Sequence, residues 1–188
     1  MKNIPDRLAL ITIGIFLVSM IHISLGLVGL LCYLSPLISY LRHRDKRWCQ
    51  RYCPRASFLT LLLSRISRHR KPPANLTQMR VKRGLLIYMG ANLFFASMST
   101  LIVALGRLEP LDHLRLFMIF QSPIAWPQLL EWALPDFVIH GSYRVISMLF
   151  SSTFLGVVLG YLYMPRTWCS VCPVMTLTTP IVKTKAAN

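Results

Sequence analysis

The sequence predicts an all-α membrane protein with about three transmembrane helices and short interfacial helices. Three observations carry that expectation. Of 188 residues, 54% are hydrophobic and only 14% are charged, against about 25% charged in a soluble domain. The charged residues are not spread out but leave three long uncharged runs. The net charge of +15 comes from 21 Lys and Arg against 6 Asp and Glu. In so apolar a chain, with a mean hydropathy of +0.52, such an excess points first to a membrane face. This balance excludes a disordered chain and argues against an ordinary cytosolic enzyme.

The first run, Leu8 to Leu41, has 34 residues without Asp, Glu, Lys or Arg. As one helix it would reach about 51 Å, well beyond the hydrocarbon core. It is therefore expected to project past the bilayer or to break near Pro36. It is too long for a signal-peptide core, and no small-x-small cleavage site follows. Gly84 to Gly106 gives 23 uncharged residues and Val145 to Pro165 gives 21. Both meet the requirement of about 20 apolar residues for a span. Residues 1–188 then form a single membrane-embedded domain with spans at 10–41, 84–106 and 144–164. A basic loop at 42–83, an opposite loop at 107–143 and a tail at 165–188 connect and close them. A fourth run, Leu116 to Leu130, is interrupted by Pro123 and Pro127 and is too short to cross. With Trp126 and Trp132 it suits an interfacial segment, or a helix buried against the bundle.

The loops set the orientation. Residues 42–83 hold 13 Lys and Arg and one acid, Asp45. Residues 107–144 hold three Arg against Glu109, Asp112, Glu131 and Asp136, and the tail holds Arg166, Lys183 and Lys185. The positive-inside rule puts the basic loop and the tail in the cytoplasm of a bacterial inner membrane. Within the loop, the stretch Phe58 to Leu63 reads as a short helix on the anionic inner leaflet. Membrane lipid is thus an expected partner. Nucleic acid is not, because no recognition motif accompanies the charge.

Two strings carry chemistry. One is Trp48-Cys49-Gln50-Arg51-Tyr52-Cys53-Pro54, the other Trp168-Cys169-Ser170-Val171-Cys172-Pro173. Each follows a span and precedes a hydroxyl-bearing apolar run, Ser57 to Thr60 or Thr176 to Thr179. The chain reads as a loose duplication: span, Cys pair, Pro, short helix. Two spans separate the pairs, so both pairs reach the same side of the membrane whichever way the chain is oriented. In a reducing cytoplasm, Cys49, Cys53, Cys169 and Cys172 are expected to bind metal rather than form disulfides. Four thiolates suit zinc or an iron–sulfur cluster, and a redox dithiol is a further alternative. Cys-Pro favours the cluster, since it closes bacterial ferredoxin ligand runs. Pro also suits the first helical position, which leaves the preceding Cys at a helix amino terminus, where a thiolate is favoured.

The Trp-Cys-x3-Cys-Pro string after a span resembles the membrane-bound 4Fe-4S proteins of the NapH/NosR type. The resemblance covers the two motifs and the spans before them, about half of the chain. It implies a [4Fe-4S] cluster on Cys49, Cys53, Cys169 and Cys172, and electron exchange with a quinone or a partner redox subunit of a quinol-linked oxidoreductase. Here the second pair has a gap of two, fewer spans are present and no ferredoxin run follows. The expected function is electron transfer through one cluster at the cytoplasmic face. The alternative is a metal-binding or thiol-based assembly or maturation factor of a membrane redox complex.

Other residues have plainer readings. Cys32, within the first span, reads as a small hydrophobe. His22, in the same span, reads as a hydrogen-bonded neutral residue or a quinone contact. Haem would need His113 or His140 as second ligand, both expected outside the spans. Gly26, Gly29, Gly156 and Gly160 suggest close helix packing. Arg47, Arg51, Arg55 and Arg166 flank the thiols and are expected to raise the potential of a bound cluster. No Gly-rich phosphate loop, Ser–His–Asp triad or intramembrane acid is present.

Overall fold

The computed structural model describes residues 7–43, 48–117, 120–121, 127–130 and 134–177. Of these, 75% are helical, and three helices are long and apolar enough to cross a membrane. The protein is all-α, as its charge-free runs require. Helix α1 spans Arg7–Ile21, and a 3-10 turn, Ile23–Val28, joins it to α2, Gly29–His43. A π-helical turn, Trp48–Tyr52, leads into α3, Pro54–Leu63. A second 3-10 turn, Ala74–Thr77, precedes α4, Met79–Ala104. Two-residue strands β1, Arg115–Leu116, and β2, Phe120–Gln121, pair antiparallel with Arg115 opposite Gln121. Helix α5 spans Asp136–Leu162 and α6 spans Thr167–Val171.

The apolar helices that qualify as spans are 23–42, 79–104 and 136–162. The long first run does break, but at His22 and not at Pro36. The His22 ring caps the 3-10 turn, its Nδ1 accepting the Ser24 backbone N–H at 3.2 Å. A side chain that bonds its own neighbouring backbone competes with the helical ladder, and α1 ends there. Pro36 sits inside α2 instead. A second difference concerns α5, which starts at Asp136, ahead of the uncharged run. His140 therefore belongs to an apolar helix and not to the loop where it was expected.

The chain divides into two compact units. The first comprises Met1–Thr12, Cys32–Met89 and Phe154–Asn188. Its core is Leu59, Leu63, Trp168 and Val171, with Phe58, Leu85, Leu155 and Leu159 packed around them. Gly156 and Gly160 of α5 make room for α3: a Cβ at Gly156 would lie 3.0 Å from Leu59 Cδ1, and one at Gly160 2.5 Å from Leu63 Cδ1. So α3 buries Leu59 and Leu63 against protein, while Leu61 and Leu62 remain exposed.

The second unit comprises Ile13–Leu31 and Gly90–Thr153. Gly26 abuts Ile146, and Gly29 abuts Leu149. Phe16 meets Phe150 edge-on, with centroids 6.4 Å apart. The last carbonyls of α1 would lack helical donors. They accept instead from Leu129 N–H, 3.2 Å from Met20 O, and Leu130 N–H, 3.0 Å from Ile21 O. Residues 111–117, which include β1, run along α5. Leu111 N–H donates to His140 Nδ1 at 3.3 Å, Arg115 N–H to Ser147 Oγ at 3.1 Å and Phe117 N–H to Ser151 Oγ at 2.9 Å. The described residues of 116–130 form a strand pair and an irregular segment, not a helix buried against the bundle. Trp126 and Trp132 lie outside the described residues.

Candidate functional site

Both cysteine strings belong to the first unit. Cys49 lies on the π-helical turn, and Cys53 is the N-cap of α3 with Pro54 at its first position. Cys169 lies on α6, and Cys172 closes α6 just before a helical turn at 173–177. The two Cys-Pro steps share one local geometry. Cys53 and Cys172 are both extended, with ψ of 110° and 131°. The residue four further on bonds back to each: Ser57 N–H to Cys53 O at 3.2 Å, Thr176 N–H to Cys172 O at 3.0 Å. Proline explains the match. It has no N–H to lose, its φ suits a helix, and it disfavours α conformation in the residue before it.

The thiols lie in a shared electrostatic neighbourhood. Burial pushes the Cys169 thiol up to about 12, and the charges of Cys53, Cys172 and Cys49 push the same way, with Arg166 opposing them. Burial likewise raises Cys172, against the backbone N–H groups of Val174 and Met175 and the charge of Arg55, which lower it. Those N–H groups reach the Cys172 sulfur, as donors at a helix start should. Burial pulls the Arg55 guanidinium down, but Tyr33, Cys53 and Cys172 outweigh it and hold it above its ordinary value. Its Cζ stands 5.5 Å from the Tyr33 ring centroid. A thiol near 12 is protonated at neutral pH, so any metal taken up here must displace that proton.

Among the described residues, no group of three or more His, Cys, Asp or Glu is arranged to hold a metal ion. The donor set still fits a four-thiolate centre in its chemistry. All four thiols are free of disulfides, and no described Asp or Glu belongs to this unit. What the arrangement lacks is coordination geometry.

Of the flanking arginines, Arg55 and Arg166 act on the thiols. Arg51 is exposed, and Arg47 lies outside the described residues. Trp168 is a buried core residue, whereas Trp48 is half-buried and packs 6.2 Å from the Tyr52 ring. Sequence reasoning missed two neighbours. Tyr33 sits under Arg55, and Cys32 lies within electrostatic reach of Cys53 and Arg55. Both come from α2, and only the fold brings α2 to the pairs. Of the histidines, His22 caps a turn, and both His140 nitrogens are engaged, by Leu111 N–H and Ser99 Oγ. Comparison with protein-family models, with curated proteins and with solved structures finds no match to this chain.

Proposed function

We propose that the chain is a membrane-bound iron–sulfur electron-transfer protein of the bacterial inner membrane. Cys49, Cys53, Cys169 and Cys172 would hold one [4Fe-4S] cluster at the cytoplasmic face. The observation that carries this reading is that Cys169 stands in the field of the other three thiols. Cys53 and Cys172 each stand at the start of a helical turn, and at Cys172 the Val174 and Met175 N–H groups meet the sulfur, which favours negative charge there. Arg55 and Arg166 supply positive charge beside the sulfurs. When bound, the cluster supplies one-electron transfer. Exchange with a quinone or a partner subunit of a quinol-linked oxidoreductase follows from the family resemblance.

The test is iron and sulfide analysis of anaerobically purified variants, with the visible spectrum. Each single Cys→Ala change among the four removes most of the iron, and any double change removes little more, as for residues sharing one site. Cys32→Ala keeps its iron. Full iron in Cys169→Ala or Cys172→Ala overturns the shared cluster. The absence of coordination geometry favours a second reading, a thiol-based or metal-binding assembly or maturation factor. Purified protein without iron or sulfide, whose thiols titrate as a reversible dithiol, selects that reading.

A further inference from the structure

The second unit carries a cationic cluster that the iron–sulfur reading does not use. His140 of α5 is fully buried. Its Nδ1 lies 3.3 Å from the Leu111 N–H, and its Nε2 lies 3.0 Å from Ser99 Oγ and 3.4 Å from Arg144 Nε. Ser99 spends its own hydrogen on Ala96 O at 3.0 Å. A neutral imidazole has one acceptor nitrogen, so the Leu111 N–H and the Arg144 Nε–H compete for it. Arg115 lacks even a contested acceptor. Its Nε is buried and has no hydrogen-bond partner, and its charge acts on both Arg144 and His140. Among the described residues, no carboxylate pairs with either arginine.

Two like charges side by side, one with an unmet Nε–H and the other sharing a contested acceptor, are costly in a partly buried place. One ligand class removes both costs, an oxyanion bridging the two guanidiniums. From donor geometry we infer that Arg115 and Arg144, positioned by His140 and the segment 111–117, form a binding site for a phosphate group. Planar guanidinium forks match phosphate oxygens bidentately, which a neutral headgroup or a cation cannot exploit. Arg144 lies about two turns into α5, in its N-terminal half. Phe120, Phe137 and Phe150 are exposed apolar residues of this unit and suit acyl chains beside such a headgroup. The phosphate group belongs either to an anionic phospholipid or to a free phosphate anion. The inference is independent of the cluster, since no cysteine takes part.

The full chain in detergent is titrated separately with inorganic phosphate and with phosphatidylglycerol, with a phosphate-free glycosyl diacylglycerol as background, and read by native mass spectrometry. The wild-type chain binds at least one of the first two probes saturably. Saturation by phosphatidylglycerol alone assigns a lipid headgroup, and saturation by phosphate assigns a free anion. Arg115→Gln and Arg144→Gln each weaken binding about tenfold or more, the loss expected for hydrogen bonds to a charged group. The double Lys variant restores part of it, because it returns charge without the fork. Without either probe, the Gln variants unfold at the same temperature as wild type or higher, since repulsion is relieved. Binding of neither probe above background, equal binding by wild type and Gln variants, or lower unfolding temperatures of both Gln variants without probe overturns the site.

Discussion

Arg55 illustrates how one side chain can set the properties of a whole site. Its charge reaches Cys53 and Cys172, which lie 119 positions apart in sequence. A four-thiolate cluster gains negative charge on reduction, so a fixed cation beside it stabilises the reduced state and raises the potential. Arg55→Gln should lower the midpoint by tens of millivolts in a redox titration. Arg51→Gln, at an exposed position, should leave it nearly unchanged. An equal shift for both would refute the local origin of the effect. Arg51 and Arg55 look equivalent in sequence, because each flanks Cys53 closely. Only the path of α3 separates them. The Cys-Pro steps, by contrast, were legible from sequence, since proline acts on its immediate neighbours and needs no tertiary context. Arg115 and Arg144 were not legible as a pair. Their meeting depends on the segment 111–117 lying along α5, and nothing local announces that.

At the scale of the elements, absence of charge marked the apolar helices well, and local side-chain chemistry decided where they end. The charge-free run 145–165 falls within or just beyond α5, but the helix also takes in His140 and Arg144. A run counted by charge must stop at Arg144, and a helix need not. Pro36 was the expected break because proline removes a donor. In an apolar helix that loss is tolerated, and the His22 cap ends α1 instead. The glycines were better guides. Gly26, Gly29, Gly156 and Gly160 all face close neighbours, whereas Gly14, Gly84 and Gly90 have none within 4 Å. Gly160 is the tightest case, since its neighbours include Pro165 backbone atoms at 3.3 and 3.5 Å as well as Leu63. Backbone cannot swing aside as a leucine tip can. Gly160→Ala should therefore destabilise the protein by about 1–3 kcal/mol, the usual range for overpacking. Gly84→Ala, in open space, should be neutral or slightly stabilising. Thermal unfolding in one detergent compares the two directly, and equal stability would show that α3 moves freely away from α5.

For the whole molecule, three candidate spans and an uneven charge distribution determine what can meet what. Two candidate spans lie between the Cys strings; if both cross, the strings share one side, and the orientation of the chain decides which compartment they face. Thirteen basic residues at 42–83 favour the cytoplasm. A reporter fused after Lys71 should be active as a cytoplasmic reporter, and one fused after Leu108 as an external one. A periplasmic signal after Lys71 would invert the assignment. Opposite signals after Lys71 and Lys183 would separate the two Cys strings and end the case for a common site.

The segment beside α5 has one more consequence. Its N–H groups at 111, 115 and 117 are met by side chains at 140, 147 and 151. Between the second and third of these bonds, two strand residues advance about 6.6 Å and four helical residues about 6 Å. The two rulers nearly agree, so the serine face of α5 can stand in for a neighbouring strand over this distance. The match is one of parity as well as length. Deleting one residue between Leu111 and Arg115 would turn the wrong edge of the segment towards the helix. Its amides would then lose the side-chain acceptors that meet them here, and a buried N–H without a partner costs about as much as a lost hydrogen bond.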